Sequence, residues 1–417
     1  MILRKGLKEF VYISLGFLLA RGVMFLSQTY LVINSELELV ASIGIGLGLL
    51  TLVQWASDMG GVFFINKYAS EGPARVLEFL VARSIFCVLL FMLTYFGRQF
   101  ISISILAEQI LSFSPFVAVA GCFNFTGLVD HLQKNKIGGV ISGIPWLFSA
   151  ILVAFFYGKV RDEEFGYILG AGYTLGLIIT AAIQSILVRA NVYQILRSAF
   201  KISPAEVYYR FLDGLSYNIS LCVTQVYGRL IPIAIDGAVG SRISGIYLYS
   251  KNIVNIASQI TLFARRAEFA NILKIQSVST NVKSLFKGQI FSLSVSFVLA
   301  IFMTIPFVFG FFFEGFGRDF HDIVECLVWL SVTFIGFSVS SLFAQYLLVL
   351  GKLTHKAVIQ TFTLLASYAL ISTYIGDISL YAVYIFEMLM YLGNIFLFYV
   401  LIRSEKKNIK KKPLAAI

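Results

Sequence analysis

Charged residues are scarce in this 417-residue sequence, where they make up only 13% of the chain. Soluble domains carry about 25% charged residues, so the composition excludes an ordinary soluble globular protein. The hydrophobic fraction is 58%, with 40 phenylalanines, and the mean hydropathy is +0.85. A chain of this composition is expected to fold within a lipid bilayer.

Residues that hold metals, cofactors and disulfides are equally sparse. The four cysteines are widely separated within apolar runs, and the three histidines fall in three different loops. Neither set has the spacing of a disulfide framework or a metal site. The sequence contains no GxxxxGK[ST] motif to cradle a nucleotide phosphate. We therefore expect no metal and no cofactor, and we expect any transport to be secondary or driven by the substrate gradient.

Long apolar runs fill most of the chain instead. A helix needs about 20 apolar residues to cross a hydrocarbon core of roughly 30 Å, and helices satisfy their own backbone groups there. The runs do not alternate as the strands of a membrane β-barrel do. Twelve spans are predicted, at 10–32, 39–64, 76–97, 103–126, 138–157, 165–188, 211–235, 243–262, 287–312, 323–350, 355–375 and 379–402. The predicted fold class is an all-α integral membrane protein.

Positive charge is distributed unevenly between the predicted loops. With the N-terminus inside, the outer loops carry five of the 33 Lys and Arg residues, and most of the others lie in cytoplasmic segments. The positive-inside rule therefore places both termini in the cytoplasm. The basic tail at 403–417 is interpreted as an anchor next to anionic lipid, so the net charge of +11 does not require a nucleic-acid partner. The first apolar run lacks a signal-peptide cleavage site and is expected to stay in place.

A hydrophilic stretch near the middle of the chain predicts two domains. It covers 189–210 and is interpreted as a cytoplasmic linker between an N-terminal six-helix bundle at 1–188 and a C-terminal six-helix bundle at 211–402. An even number of helices on each side makes the halves parallel repeats about an axis normal to the membrane. Their residue-level similarity is weak. What they share is a cation inside the first span of each half.

Three cations lie inside predicted spans 1, 7 and 8, namely Arg21, Arg229 and Lys251. A charge at mid-membrane costs about 2.5–3.5 kcal/mol on insertion scales and marks a functional site by default. At 100° per residue, each cation shares a helix face with polar side chains. These include Gln28 in span 1, Gln225 in span 7 and Asn255 in span 8. We predict that these six residues bind the substrate in a cationic cavity.

Acidic residues that could neutralise the cations are few. Asp58 and Arg83 fall in the inner halves of spans 2 and 3, and they are predicted to form a structural or gating ion pair. Glu387 and Glu325 could serve at most two of the three cations in spans 1, 7 and 8. A net positive cavity would select anions. The alternative is complete internal pairing, with a role in helix packing only.

Prolines and glycines bear on the shape of the helices. Four prolines sit inside predicted spans, namely Pro115, Pro145, Pro232 and Pro306. Each removes a backbone hydrogen bond and tends to kink the helix. Pro232 follows Arg229 by three residues and is the predicted hinge of span 7, with a static kink as the alternative. Glycines four residues apart in spans 5 and 6 predict close contact between helices.

Two short segments resemble a known family. ASDMGGVFFINKYASEG is similar to the Asp-x-Gly stretch at the end of helix 2 in Wzx-type polysaccharide flippases, and Asp58 and Gly60 carry the match. GAVGSRISGIYLYSKNI resembles the Gly-x-Tyr pattern that opens their helix 8, through Gly245 and Tyr247. Together with the twelve-helix layout, the whole chain resembles these members of the MOP (multidrug/oligosaccharidyl-lipid/polysaccharide) superfamily. The sequence reads FNFTG where the family often has a Trp in the region of helix 4.

The resemblance implies a flippase of the bacterial inner membrane. Such a protein moves undecaprenyl-pyrophosphate-linked oligosaccharide units, for O-antigen or capsule and exopolysaccharide, from the cytoplasmic to the periplasmic leaflet. It does so by alternating access through a cationic, two-lobed cavity lined by helices 1, 2, 7 and 8. The implied partners are this lipid-linked substrate, membrane lipid, a coupling ion (H⁺ or Na⁺), a polysaccharide polymerase and a chain-length regulator. Arginine suits this role because its guanidinium can bind phosphate through two parallel hydrogen bonds.

Other classes of protein stay open. A MATE-like drug/cation antiporter would share the fold but display acids in its cavity. Another twelve-helix secondary transporter, such as a major-facilitator protein, would have a more basic loop after helix 2 than Lys67 and Arg75 provide. A membrane-embedded polymerase or glycosyltransferase would need a large outer loop or an acidic catalytic motif, whereas the outer loops near 158–164 and 313–322 are short. We therefore predict a transporter and not an enzyme.

Overall fold

The computed structural model describes residues 21–132, 134–278, 286–310, 318–349, 352–378 and 380–411. Within these ranges the chain is helical, with two short 3-10 turns and no strand, which confirms the all-α prediction. It divides into two compact units, Met1–Arg229 and Leu230–Ile417.

Eleven described helices lie entirely within the first unit. They are α1 (21–33), α2 (Leu37–Asp58), α3 (Gly61–Glu71), α4 (Pro73–Gly97), α5 (Ile105–Leu111), α6 (Ser114–Gly121), α7 (Thr126–His131), α8 (Asn135–Ile141), α9 (Ile144–Phe156), α10 (Asp162–Leu187) and α11 (Arg189–Arg197). Helix α2 packs against α5 and α6, and α10 packs against α5 and α9. Helix α12 (Pro204–Val239) begins in this unit, and the division between the units falls within it.

The second unit is built from longer helices. They are α13 (Ser241–Val278), α14 (Ile290–Gly310), α15 (Arg318–Val349), α16 (Leu353–Ile378) and α17 (Leu380–Lys411). Helix α15 contacts α13, α14 and α17, so it lies at the centre of these packing contacts. Arg265 on α13 is only 3% exposed, because its guanidinium packs against α15 and donates to the carbonyl of Ser338 at 2.7 Å. This unit therefore buries a cation that the sequence placed in a loop.

Within the described ranges, six helical stretches are long and apolar enough to cross a membrane. They are Leu37–Glu71, Pro73–Phe100, Glu164–Leu187, Arg318–Leu347, Thr354–Gly376 and Leu380–Ser404. Ile105–Gly121, Ile144–Phe156 and Ile290–Pro306 are shorter apolar helices. These stretches identify a multi-pass membrane protein. The count of twelve spans and the cytoplasmic location of both termini stay predictions.

Predicted spans 4 and 5 are each broken into two helices. The breaks fall between α5 and α6 and between α8 and α9. In both cases a proline, Pro115 or Pro145, occupies the first turn of the helix that follows. Proline has no N–H, and the first turn is where a helix needs none. Each proline therefore starts a helix here and does not kink a continuous one.

The stretch 189–210 is folded onto the first unit. It contains α11, a 3-10 turn and the start of α12. Ile195 is buried in the same apolar cluster as Phe79 of α4. Glu206 Oε2 forms ion pairs with Arg75 Nη1 at 2.5 Å and with Arg210 Nη2 at 3.0 Å. These contacts fold 189–210 onto the first unit, whose boundary falls at 229/230. The two six-helix bundles joined by a cytoplasmic linker stay a prediction.

Glycines of α10 bring two neighbouring helices into close contact, as the spacing of these glycines predicts. A Cβ atom on Gly170 would lie 2.9 Å from the carbonyl oxygen of Ile110 on α5. A Cβ atom on Gly176 would lie 2.6 Å from the Cα atom of Pro145 on α9. Both neighbours are backbone atoms, so they cannot move aside as a flexible side chain could.

We expect Gly176→Ala to destabilise the protein by about 1–3 kcal/mol, because the added methyl group overpacks against the backbone of α9. Gly376→Ala is the matched control, since a Cβ atom there would meet nothing within 4 Å. The control should be neutral or slightly stabilising, because alanine is the better helix former. Thermal unfolding of the purified protein in detergent measures both. Equal midpoints for the two variants would contradict the close contact.

Candidate functional site

Arg21 lies on an aromatic wall inside the first unit. Its guanidinium carbon is 3.6 Å from the centroid of the Trp146 ring on α9. The Trp146 ring meets the Tyr173 ring of α10 edge to face, at 5.6 Å between centroids and 81° between planes. A guanidinium over an indole face gains about 0.5–2 kcal/mol, more where water is excluded. Trp146 therefore fixes the plane of the Arg21 guanidinium.

Hydrogen bonds to α2 hold the Tyr173 ring in place. The Tyr173 hydroxyl donates to Gln54 Oε1 at 2.5 Å and lies 3.3 Å from Thr51 Oγ1. Thr51 in turn donates to the carbonyl of Leu47 at 2.7 Å. The Tyr173 side chain is fully buried. This chain of contacts fixes the wall on which Arg21 lies.

Arg229 reaches the same region from α12. A Cβ atom on Gly48 of α2 would lie 3.0 Å from Arg229 Nη1, so the absence of a side chain there makes room for the guanidinium. Arg21 and Arg229 are near enough to repel each other, and both lie near the Tyr173 hydroxyl. The ion pairs within the described part of the chain do not include Arg229. We call Arg21 and Arg229 the arginine pair.

The other predicted residues of the first unit lie on the same two helices. Gln28 is 4% exposed and stands two turns after Arg21 on α1. Gln225 is half-buried and precedes Arg229 by one turn on α12. Nearer the start of α12, Asn218 donates to the carbonyl of Ala56 at 2.6 Å, which fastens α12 to α2. The structure thus brings the arginine pair together, with both glutamines on the same two helices.

Lys251 belongs to the second unit, where it forms an ion pair. Its Nζ atom lies 3.1 and 3.0 Å from the two carboxylate oxygens of Glu387 on α17. The Tyr247 hydroxyl donates to the same carboxylate at 3.2 Å. Asn255, one turn beyond Lys251 on α13, is exposed. The ion pair gives Lys251 a structural role that competes with the predicted substrate contact, which stays a prediction.

The helix that contains Pro232 is continuous. Pro232 lies inside α12 and is buried, and its carbonyl accepts a hydrogen bond from Ser244 Oγ at 3.0 Å. This bond ties the end of α12 to the start of α13. Nearby, Arg242 donates to Asp319 and to Asp322, the latter at 2.8 Å, and these bonds raise the pKa of its guanidinium. The hinge role of Pro232 stays a prediction.

Arg83 is fully buried in the first unit and binds backbone oxygens. It donates to the carbonyls of Cys122 and Asn124, each at 2.8 Å, just beyond the end of α6. Its Nη1 atom lies 3.9 Å from Asp58 Oδ1 at the end of α2. Asn124 also donates to that carboxylate at 2.7 Å. Asp58 and Arg83 therefore meet, as the predicted ion pair requires, although carbonyl contacts dominate the surroundings of Arg83.

The Asp-x-Gly motif forms the break between α2 and α3. Met59 and Gly60 have φ values of 48° and 71°, which lie in the left-handed region and end α2 at Asp58. A Cβ atom on Gly61 would lie 2.8 Å from both Arg83 Nη1 and Asp58 Oδ1. The motif thus turns the backbone and leaves space for the buried cation. These contacts alone give the motif a structural role.

The sequence did not single out Trp146 and Tyr173. In the sequence, Trp146 is an aromatic residue that follows Pro145, and Tyr173 is one that lies among the glycines of α10. Neither position indicates a function until the contact between the two rings is known. Gln54, which lies in predicted span 2, was not among the predicted substrate-binding residues. Groups of His, Cys, Asp and Glu that could hold a metal ion are absent from the described ranges.

Solved structures show which fold this is. An inward-facing multidrug-resistance MATE transporter of the MOP superfamily superposes with a TM-score of 0.69 at 13% identity, over 94% of this chain and 96% of the other. A MATE protein in complex with MaL6 gives a TM-score of 0.63 at 13% identity, over 97% of each chain. A MOP superfamily transporter from Pyrococcus furiosus, whose binding pocket has reverse polarity suggesting a different function, also gives 0.63 at 13% identity, over 97% of each chain.

The chain therefore has the fold of the MATE transporters and of the MOP superfamily. No protein-family model and no curated protein matches it by sequence. The similarity to solved structures covers nearly the whole chain but extends to the fold alone. The arginine pair is a property of this sequence, and it is the starting point for the function.

Removal of Arg83 should cost more stability than removal of Asp58. Arg83→Met leaves two carbonyls and a carboxylate without their cation, and we expect a loss of about 3–5 kcal/mol. Asp58→Asn removes a longer contact at a partly exposed carboxylate, and the new amide oxygen can still accept from Asn124, so the loss should be less than half as large. Thermal unfolding in detergent ranks the two variants. A smaller loss for Arg83→Met would refute the carbonyl-binding role.

Lys251 and Glu387 should be coupled in stability. Lys251→Met leaves a buried carboxylate unpaired and is expected to cost about 3–5 kcal/mol. Adding Glu387→Gln should restore most of this loss, because the amide is neutral and still accepts from Tyr247. The double-mutant cycle measures the coupling in the same unfolding assay. Additive losses would show that the pair does not stabilise the fold.

Proposed function

We propose that this protein is a flippase for undecaprenyl-pyrophosphate-linked oligosaccharides in a bacterial inner membrane. It moves these units, which feed O-antigen or capsule and exopolysaccharide synthesis, from the cytoplasmic to the periplasmic leaflet by alternating access. The arginine pair binds the pyrophosphate in the first unit. The cycle changes no covalent bond, so the protein acts as a transporter and needs no cofactor.

The arginine pair is the observation that carries this proposal. The two guanidinium groups lie among apolar helices and repel each other. A ligand with two negative charges would offset this repulsion, so it would be bound most favourably. A pyrophosphate diester has two such charges, one on each phosphate. The Trp146 face fixes the plane of one guanidinium, which suits two parallel hydrogen bonds to a phosphate. Water exclusion strengthens each of these contacts.

The surroundings of Arg229 support an anionic ligand further. Gly48 leaves room for its guanidinium, and the ion pairs of the described ranges do not include Arg229. Lys251 and Arg83, by contrast, each have an acidic neighbour. The glutamines on the same helices, Gln28 and Gln225, are proposed to bind sugar hydroxyls. Lys251 and Asn255 of α13 are proposed to contact the substrate as well, and Lys251 would do so only if its pair with Glu387 opens.

A MATE-like export of cationic drugs is the second candidate, because the superposed structures include MATE transporters. The arginine pair opposes it, since a cationic drug would meet two like charges in the first unit. Resistance to cationic drugs, measured in a susceptible strain that expresses the protein, tests this candidate. Resistance that increases when Arg21 and Arg229 are replaced by glutamine would favour it over the flippase.

Substitutions of the arginine pair test the flippase directly. In a strain that lacks its own flippase, Arg21→Ala or Arg229→Ala should abolish or strongly reduce surface polysaccharide at normal expression. A charged hydrogen bond is worth about 1.5–3 kcal/mol, so the affinity of the purified protein for the lipid-linked substrate should fall by about 10- to 150-fold. Arg21→Lys should retain only part of the activity. A lysine ammonium lacks the planar face that stacks on Trp146, and it cannot form two parallel hydrogen bonds to one phosphate.

Two control variants make the test specific. Lys159→Ala removes an exposed cation and should leave polysaccharide and affinity unchanged. The Lys251→Met, Glu387→Gln double variant keeps the fold while removing the lysine charge. If it retains full affinity, Lys251 does not contact the substrate. Full complementation by both alanine variants of the arginine pair would overturn the proposed function.

A further inference from the structure

An aromatic groove opens on the first unit, and its lining residues do not include the arginine pair. Its volume is about 400 Å³, within the range of roughly 300–1,000 Å³ that is usual for small-molecule sites. Its walls come from α4, α6 and α10. The side chains that matter here are Phe91, Tyr95, Arg98, Ser112, Phe116 and Tyr167. We call this feature the aromatic groove.

Four aromatic rings give the groove an apolar wall. Phe91 and Tyr95 stand one turn apart on α4 with parallel rings, 2° between planes and 6.2 Å between centroids. Phe116 of α6 and Tyr167 of α10 complete the wall, and both are more than half exposed. Apolar rings left open between membrane helices offer a surface to a hydrocarbon chain. The wall is therefore suited to the acyl part of a lipid.

Arg98 gives the groove a cationic end. It lies in the 3-10 turn that follows α4, with its guanidinium carbon 5.6 Å from the centroid of the Tyr95 ring. The ion pairs of the described ranges do not include it. The topology predicted from the sequence puts Arg98 on the outer side, where cations are few. The positive-inside rule gives no reason for a cation at this place.

Ser112 adds a hydrogen-bond acceptor beside this cation. Its hydroxyl donates to the carbonyl of Gln109 at 2.6 Å, so its lone pairs are left for a donor in the groove. The polar end thus presents one cation and one acceptor. A headgroup that carries both a phosphodiester and a free hydroxyl matches this arrangement. Phosphatidylglycerol is the common membrane lipid with that chemistry.

We propose that the aromatic groove binds one anionic phospholipid of the outer leaflet, with its phosphate on Arg98 and an acyl chain along the four rings. The amphiphilic character of the groove selects a lipid over a soluble anion, because the aromatic wall gains nothing from a ligand without a chain. Arg98 selects an anionic lipid over a zwitterionic one, since the amine of a zwitterionic headgroup offsets its phosphate. This site is independent of the flippase proposal.

Lipid titration of the purified full-length protein tests the site. The protein is stripped of lipid in detergent and titrated with phosphatidylglycerol or phosphatidylcholine of identical chains, and bound lipid is counted by native mass spectrometry. We expect phosphatidylglycerol to bind more tightly. A cation near the membrane surface contributes about a fivefold gain in affinity for anionic lipid. Arg98→Gln should therefore lower the affinity for phosphatidylglycerol about fivefold and leave the affinity for phosphatidylcholine unchanged.

Further variants separate the two parts of the site. Arg161→Gln removes an exposed cation on the same predicted side of the membrane. It should change the affinity for neither lipid. Phe116→Ala should lower the affinity for both lipids equally, because it removes one ring of the apolar wall and leaves Arg98 in place. Arg98→Lys should keep most of the preference for phosphatidylglycerol.

Three outcomes would overturn the proposal. The first is an unchanged preference for phosphatidylglycerol in Arg98→Gln, which would place the lipid elsewhere. The second is displacement of the bound lipid by glycerol phosphate, which would show a site for free anions. The third is tighter binding of undecaprenyl phosphate than of phosphatidylglycerol, which would assign the groove to a polyprenyl lipid.

Discussion

The cost of holding a cation among apolar helices governs the organisation of both units. Contacts with oxygen atoms offset this cost for Arg83 and Lys251. Arg83 binds two carbonyls and lies near Asp58, and Lys251 binds both oxygens of Glu387. The arginine pair is treated differently, because one member lies on an aromatic face and the other against a glycine. Arg83 and Lys251 are therefore held by oxygen atoms, and Arg21 packs on an aromatic ring.

Small residues and helix breaks create the space that the cations occupy. Gly48 admits the Arg229 guanidinium, and Gly61 admits that of Arg83. The glycines of α10 draw α5 and α9 close to it, which sets the Tyr173 ring of α10 against Trp146 of α9. A larger side chain at Gly48 would compete with the guanidinium for the same volume. The positions without side chains thus determine where the charged side chains lie.

The described polar contacts differ between the two units. The first unit keeps the arginine pair near an aromatic wall, and it also carries the aromatic groove, whose lining does not include the pair. In the second unit Arg242 and Lys251 of α13 bind acids, and Arg265 donates to a backbone oxygen. Each of these three cations is thus held by oxygen atoms of the protein.

Composition and periodicity determined the fold class, the membrane location and the identity of the unusual cations, because these depend on local apolar runs and on the cost of charge in lipid. Glycine spacing also predicted the close contacts of α10. The sequence could not show that 189–210 folds onto the first unit, or that Lys251 meets Glu387, since each pairing joins residues far apart in the chain. Nor could it single out Trp146 and Tyr173, whose role exists only through their contact. Tertiary structure alone decided that Arg83 meets two carbonyls, that Lys251 meets Glu387 and that Arg21 lies on Trp146, because these contacts depend on the distances between helices.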